Sequence, residues 1–204
     1  MTLFTPPHIR NTPRWNNMRV GLLGGSFNPP HKGHVHISLA VLNSLQLDAI
    51  WWLVTPQNPL KGDVVPLPIE ERMEMSRELI THPKILVTDL EKELGTTLTY
   101  HSIKALKSRF SKTDFVWIMG MDNVHSFHEW NNWRDLLTEI PMAHLTRSPA
   151  TSLVRNSPAK MQAGQRHIVV DKGGRFPLDS GLTYWLLQKK MVDISSTELR
   201  DKST

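Results

Sequence analysis

Residues Ala49–Val54, AIWWLV, contain no polar side chain and show no alternation. A half-exposed strand alternates, so such a run reads as a strand buried on both faces. Comparable runs occur at Met18–Leu23 and at Asp114–Met121, with shorter ones at Lys84–Asp89, Ala143–Thr146 and His167–Val170. Segments of helical spacing separate them: His34–Leu45, Ile69–Thr81 with acids in its first turn, and Thr99–Phe110 with Ile103 and Leu106 on one face. A short helix is expected at Asn131–Thr138, closed off by Pro141. Residues 182–190 read as helical and Met191–Ile194 as extended. Ser195–Glu198 starts a last helix with the Ser and Glu spacing of a capping box.

Strands alternating with helices predict an α/β fold, a Rossmann-like doubly wound parallel sheet with flanking helices and right-handed crossovers. The chain has 204 residues, which suits a single domain, here 19–204. Residues 1–18 contain three prolines and read as a flexible N-terminal arm, and Arg147–Gly164 reads as a long loop. No apolar run approaches the about 18 residues of a membrane span, and no signal peptide is visible. The chain has no cysteine, hence no disulfide, thiolate metal site or cysteine nucleophile, which suits a cytoplasmic protein. The net charge of +5 favours anionic ligands. The basic residues are scattered rather than clustered, which argues against nucleic acid as the partner.

The stretch Gly24–His34, GGSFNPPHKGH, follows the first strand directly and opens the first helix. A glycine-rich turn running into a helix brings backbone N–H groups close to an anion. His31 and His34, with Gly33 between them, add side-chain donors suited to phosphate. No GxxxxGK[ST] sequence occurs, so this is a nucleotide site without a lysine P-loop. Ligands of such sheets bind beyond the carboxyl ends of the strands. The Gly24 turn, the Pro-rich loop TPQNPLKGDVVPLP after Val54, and Asp122 at the end of DFVWIMGM all lie at such ends.

His31-Lys32-Gly33-His34 matches the (T/H)xGH signature of the nucleotidyltransferase superfamily, and Ile194–Arg200, ISSTELR, matches its ISSTxIR signature. GMDNVHSFHEWNNW, Gly120–Trp133, resembles the GxDxLxxFHxW segment of the bacterial nicotinate-nucleotide adenylyltransferases. TPQNPLK, Thr55–Lys61, is similar to that family's Pro-rich loop, and GTTLTYHSI, Gly95–Ile103, loosely resembles its SYTxDTL segment. The resemblance spans Met18 to Lys202. Asn28 stands where many members have Asp, Leu98 where Tyr is usual, and His101 where Asp is frequent.

The resemblance implies a cytoplasmic enzyme of NAD biosynthesis. Such an enzyme joins ATP, with Mg²⁺ carried on its phosphates, to nicotinate mononucleotide, giving deamido-NAD and pyrophosphate. It implies His31, His34 and Arg200 as catalytic residues. The ATP site would comprise Gly24, Gly25, Ser26, Phe27, Gly33, Gly120, Asp122, Ile194, Ser195, Ser196 and Thr197. Nicotinate mononucleotide would be held by Lys61, Leu98, Thr99, Trp130 and Asn131, with Trp130 stacking on the pyridine ring. No His/Asp/Glu cluster has the spacing of a metal cage, so no protein metal site is expected.

Three other readings compete. The acceptor could be phosphopantetheine, against which the Trp130 segment speaks, or nicotinamide mononucleotide, which a competition assay against nicotinate mononucleotide separates. A non-catalytic nucleotide-binding regulator would release no pyrophosphate. A nucleic-acid-binding protein would bind with strong salt dependence. No membrane partner is expected, and the sequence is compatible with a monomer or a homo-oligomer alike.

Overall fold

A computed structural model of the chain describes residues 9–56, 66–147 and 157–188. The apolar runs become the sheet. Strand β1 is Arg19–Gly25, β2 Ala49–Val54, β3 Ile85–Thr88, β4 Asp114–Gly120, β5 Met142–Arg147, β6 Arg166–Val170 and β7 Leu182–Gln188. Their order is β3-β2-β1-β4-β5-β7-β6, and every pairing is parallel. The direction of winding reverses between β1 and β4, the point at which sheets of this kind open a crevice.

Helices α1 (Lys32–Ser44), α2 (Ile69–Leu79), α3 (Leu90–Leu94), α4 (Thr99–Arg109), α5 (Met121–Ser126), α6 (Trp133–Glu139) and α7 (Pro158–Met161) join these strands. The burial sorts them onto two faces. One apolar cluster combines Ile37 and Val41 of α1 and Met73 of α2 with Trp52, Ile118 and Ala143 of the sheet. The other combines Leu90, Ile103, Leu106, Val124, Leu136 and Leu137 with Trp51, Trp117 and Met142. AIWWLV thus feeds both layers, Trp51 into one and Trp52 into the other, and all six residues are buried. The doubly wound sheet expected from the sequence is present. Among the described residues no helix is long and apolar enough to cross a membrane.

Several local expectations are corrected. Leu182–Gln188 is a strand, not a helix: it lies between β5 and β6 and pairs with both. Its seven residues, LTYWLLQ, are rich in aromatic and apolar side chains, and a run so short does not separate strand from helix by periodicity. A helical turn, α7, lies inside the segment read as loop, with Ser157 accepting from the Lys160 N–H at its start. Residues 9–18, read as part of a flexible arm, are packed: Ile9 and Trp15 are buried, and Trp15 meets Trp51 edge-on. The Arg10 guanidinium bonds Glu93, which also binds Arg109. On β5, His144 is wholly buried with neither ring nitrogen hydrogen-bonded among the described residues, and burial pushes its pKa down to about 3.

Candidate active site

β1 runs on through Gly24 and Gly25, so these two glycines belong to the strand and the turn starts only at Ser26. Gly24 has a packing role that the sequence does not reveal. A Cβ placed there would meet the Trp117 ring at 2.5 Å, a distance no real contact shows. Gly25 differs, since its added Cβ would lie 3.4 Å from the Phe27 ring. Gly120 differs more: among the described residues a Cβ there would meet only Ile37, at 3.9 Å. The packing of the described residues therefore does not demand a glycine at 120.

His31 is the N-cap of α1, which begins at Lys32, earlier than the expected start at His34. Its Nδ1 accepts from the Gly33 N–H at 3.2 Å, and His34 Nδ1 accepts from the His31 N–H at 3.1 Å. This is a capping box made of two imidazoles, with His31 in the usual Ser/Thr place and His34 in that of Glu. A nitrogen that accepts carries no hydrogen, so both neutral rings hold their proton at Nε2. The HxGH spacing is thereby explained in physical terms. It places N-cap and N3 three residues apart, fixes both tautomers and makes each Nε2 a donor. The two rings lie 3.8 Å apart between centroids. Lys32, between them, is exposed.

Aromatic packing supports this turn from below. Phe27 is buried, stacks on Trp52 at 4.7 Å and 11°, and adopts a left-handed φ of +48°. The Trp52 indole N–H donates to Ser38 Oγ, which donates to the His34 carbonyl, both at 2.8 Å. Arg72 of α2 is 1% exposed and donates to four carbonyls: Ser26 at 2.5 Å, Leu67 at 2.7 Å, Thr55 at 2.8 Å and Pro56 at 3.0 Å. Burial lowers its pKa, and Glu70 opposes that shift. Sequence reasoning passed over this residue. The available signal was its position on the inward stripe of IEERMEMSRELIT, in step with Ile69, Met73 and Ser76.

On the other face, Gly120 is the N-cap of α5 without any side-chain cap, and Asp122 lies in the first turn of that helix. A 3₁₀ turn at Phe127–Glu129 follows and delivers Trp130. Trp130 is half-buried, meeting Phe127 at 5.5 Å and Trp117 at 6.4 Å, both edge-on. Trp117 therefore touches both halves of the site, lying against Gly24 and against Trp130. Leu98 is the N-cap of α4 and Thr99 its first residue, both half-buried and with no side-chain cap. Asn131 is exposed. Behind α4, Ser102 donates to the buried Glu91 at 2.8 Å, while the second Glu91 oxygen has no partner among the described residues. Burial pushes the Glu91 pKa up to about 7, against the Ser102 hydrogen bond.

The structure thus brings Gly24–Phe27, His31, Gly33, His34 and Gly120 to the carboxyl ends of the neighbouring strands β1 and β4, with Trp130 linked to them through Trp117. Lys61, Ile194, Ser195, Ser196, Thr197 and Arg200 lie outside the described residues. Among the described residues no group of three or more His, Asp or Glu could hold a metal ion.

Residues 22–202 match the model of a family described as cytidylyltransferase-like. A protein of Cereibacter sphaeroides described as a probable nicotinate-nucleotide adenylyltransferase is 44% identical over 184 residues, covering 90% of this chain and 97% of its own. One of Ruegeria pomeroyi with the same description is 39% identical over 188 residues, covering 89% of this chain and 84% of its own. Among solved structures, the nicotinic acid mononucleotide adenylyltransferase of Plasmodium falciparum, complexed with NaAD, superposes with a TM-score of 0.67 at 20% identity. That match covers 90% of this chain and 83% of the other, and it is a likeness of fold.

Proposed function

The chain belongs to the nicotinate-nucleotide adenylyltransferase family, within the cytidylyltransferase-like group, and from that premise we propose how its residues perform the reaction. It transfers the adenylyl group of ATP to nicotinate mononucleotide, giving deamido-NAD and pyrophosphate in NAD biosynthesis. The acceptor phosphate is largely ionised at neutral pH, with a second pKa of about 6. One of its oxygens attacks the α-phosphorus of ATP in line. A new P–O bond forms, the bond to the β-phosphate oxygen breaks, and pyrophosphate leaves with that electron pair. No general base is required, so positioning and stabilisation of negative charge carry the catalysis.

The observation that carries this reading is the reciprocal histidine cap at the switch point, which fixes both imidazoles as Nε2–H donors. His31 and His34 donate to the ATP phosphates, and the N–H groups of Ser26 and Phe27 line the same anion, while Gly33, its own N–H held by His31, lets the anion approach between the two rings. Asp122 accepts from ribose hydroxyls, and Gly120 admits the nucleotide close to β4. Trp130 stacks on the pyridine ring, with Leu98, Thr99 and Asn131 around the nicotinate carboxylate. Lys61 reaches a substrate phosphate. Ile194, Ser195, Ser196, Thr197 and Arg200 close over the departing pyrophosphate. Transfer from ATP commonly needs a divalent cation, which neutralises charge on the phosphates. Each Nε2–H is a donor and not a ligand, so this reading makes the ion Mg²⁺, held by the phosphates themselves. The reading includes a cytoplasmic enzyme.

A coupled assay with ATP and each pyridine mononucleotide tests it, with His34→Ala as control. Pyrophosphate and deamido-NAD are expected with nicotinate mononucleotide, and little product with the amide. No product from either mononucleotide, or a preference for the amide, would overturn the reading.

A further inference from the structure

A guanidinium removed from water needs its donors satisfied, and a carboxylate usually does so. Arg72 departs from that pattern. The four described hydrogen bonds of its guanidinium all go to backbone carbonyls, and none of the described ion pairs includes it. Those carbonyls come from three separate segments: Ser26 in the turn after β1, Thr55 and Pro56 beyond β2, and Leu67 just before α2. Thr55 and Leu67 lie at the two ends of the Pro-rich loop that contains Lys61. Two further bonds tie the same pieces together, Thr55 N–H to the Gly25 carbonyl at 3.0 Å and Leu67 N–H to Asn28 Oδ1 at 3.3 Å.

The Ser26 bond has a directional consequence. In a trans peptide the C=O and N–H point in opposite directions. Holding the Ser26 carbonyl on Arg72 therefore turns the Phe27 N–H away from the guanidinium. Phe27 itself sits at a φ of +48°, a conformation that costs a bulky residue free energy and persists only where the surroundings impose it. Its ring is held by the Trp52 stack and its preceding peptide by Arg72. The planar fork carries five N–H donors and here holds four carbonyls, whereas a lysine ammonium has three donors on a single nitrogen and cannot hold all four.

We propose that Arg72 is a positioning residue of the adenylyl-transfer site: it orients the Ser26–Phe27 peptide toward the nucleotide phosphates and fixes the ends of the Pro-rich loop against it. The proposal rests on the reading that the turn after β1 receives phosphate. Its effect lies in transition-state geometry, so loss of Arg72 lowers kcat more than it raises KM. A merely structural role would lower the melting temperature and leave kcat per folded molecule unchanged.

The test compares Arg72→Met and Arg72→Lys with the parent in the full chain, assayed well below each variant's own melting temperature. Arg72→Met is expected to lose about 100-fold in kcat, the scale of a small misplacement of reacting groups. Arg72→Lys keeps the charge but not the fork, and about a tenfold loss is expected. In parallel, protein labelled with ¹⁵N at its six phenylalanines is titrated with ATP. The Phe27 amide, assigned by its disappearance in Phe27→Tyr, shifts in the parent and fails to shift in Arg72→Met. A folded Arg72→Met with parent-like kcat overturns the proposal. Should Arg72→Met not fold, Arg72→Lys decides alone: reduced kcat supports the proposal, and parent-like kcat overturns it. The titration separates the two readings. A Phe27 response to ATP in a parent that makes no dinucleotide refutes the reaction but leaves the role of Arg72 testable.

Discussion

The turn after β1 is held by side chains on every side, whereas the turn after β4 is held by packing. After β1, two imidazoles cap the helix reciprocally, Phe27 is stacked on Trp52, and Arg72 grips the backbone from below. After β4, the helix starts at an uncapped glycine, and Trp130 rests edge-on against Phe127 and Trp117. The buried charges differ in the same sense. Arg72 has its donors placed on four carbonyls, while Glu91 has one oxygen on Ser102 and the other without a partner among the described residues. The contrast fits the proposed ligands. Phosphate needs donors held rigidly at the positions where charge develops. A flat pyridine ring needs an apolar face, and a tryptophan set by packing supplies it.

The largest effect that would sharpen this contrast is on the β1 side. His34→Ala removes both a donor and half of the cap, and kcat/KM is expected to fall by about 10²–10³, the range for one transition-state donor. Steady-state kinetics giving near-parental turnover would break the contrast at its stronger end. Next comes Gly24→Ala, whose methyl group collides with Trp117 at 2.5 Å. Overpacking of this kind costs about 1–3 kcal/mol, measurable by denaturant unfolding. Because Trp117 also touches Trp130, this variant should disturb both turns, and an unchanged KM for either substrate would show them uncoupled.

Trp130→Ala should act on the β4 side alone. Base–aromatic stacking is worth about 1–3 kcal/mol, so KM for nicotinate mononucleotide should rise about tenfold or more while KM for ATP stays near the parent value. The smallest effect concerns Glu91. Its folded pKa of about 7 lies above the ordinary glutamate value of 4.5, so the folded state binds the extra proton. The stability it contributes is full below pH 4.5 and is lost as pH rises through 7. Between pH 6 and 8 that loss is of order 1 kcal/mol. Glu91→Gln should abolish this slope in unfolding measurements and leave the turn after β1 unaltered.

The central strands and the helices over 34–45, 69–81 and 99–110 were legible because their apolar spacing is a local property. The histidine pair was legible too, although only as donors at a helix start. That it is itself the cap emerges from the ring geometry. Leu182–Gln188 was misread because a short apolar run takes its form from its neighbours, here β5 and β6. Gly24 read as a turn glycine since nothing nearby in the chain announces Trp117, ninety-three positions on. Residues 9–18 read as an arm because prolines obscure two anchors, Ile9 and Trp15.

The sequence by itself determined the architecture, the family and the chemistry expected of the first signature. Periodicity and a compact motif are written in neighbouring residues. Only the tertiary structure decided what holds that signature in place. A charged residue within a helix is ordinarily solvated, and Arg72 becomes a buried clamp because three loop segments converge on it. Convergence of distant backbone is a property of the fold, since the carbonyls that satisfy Arg72 are peptide groups with no residue type to mark them.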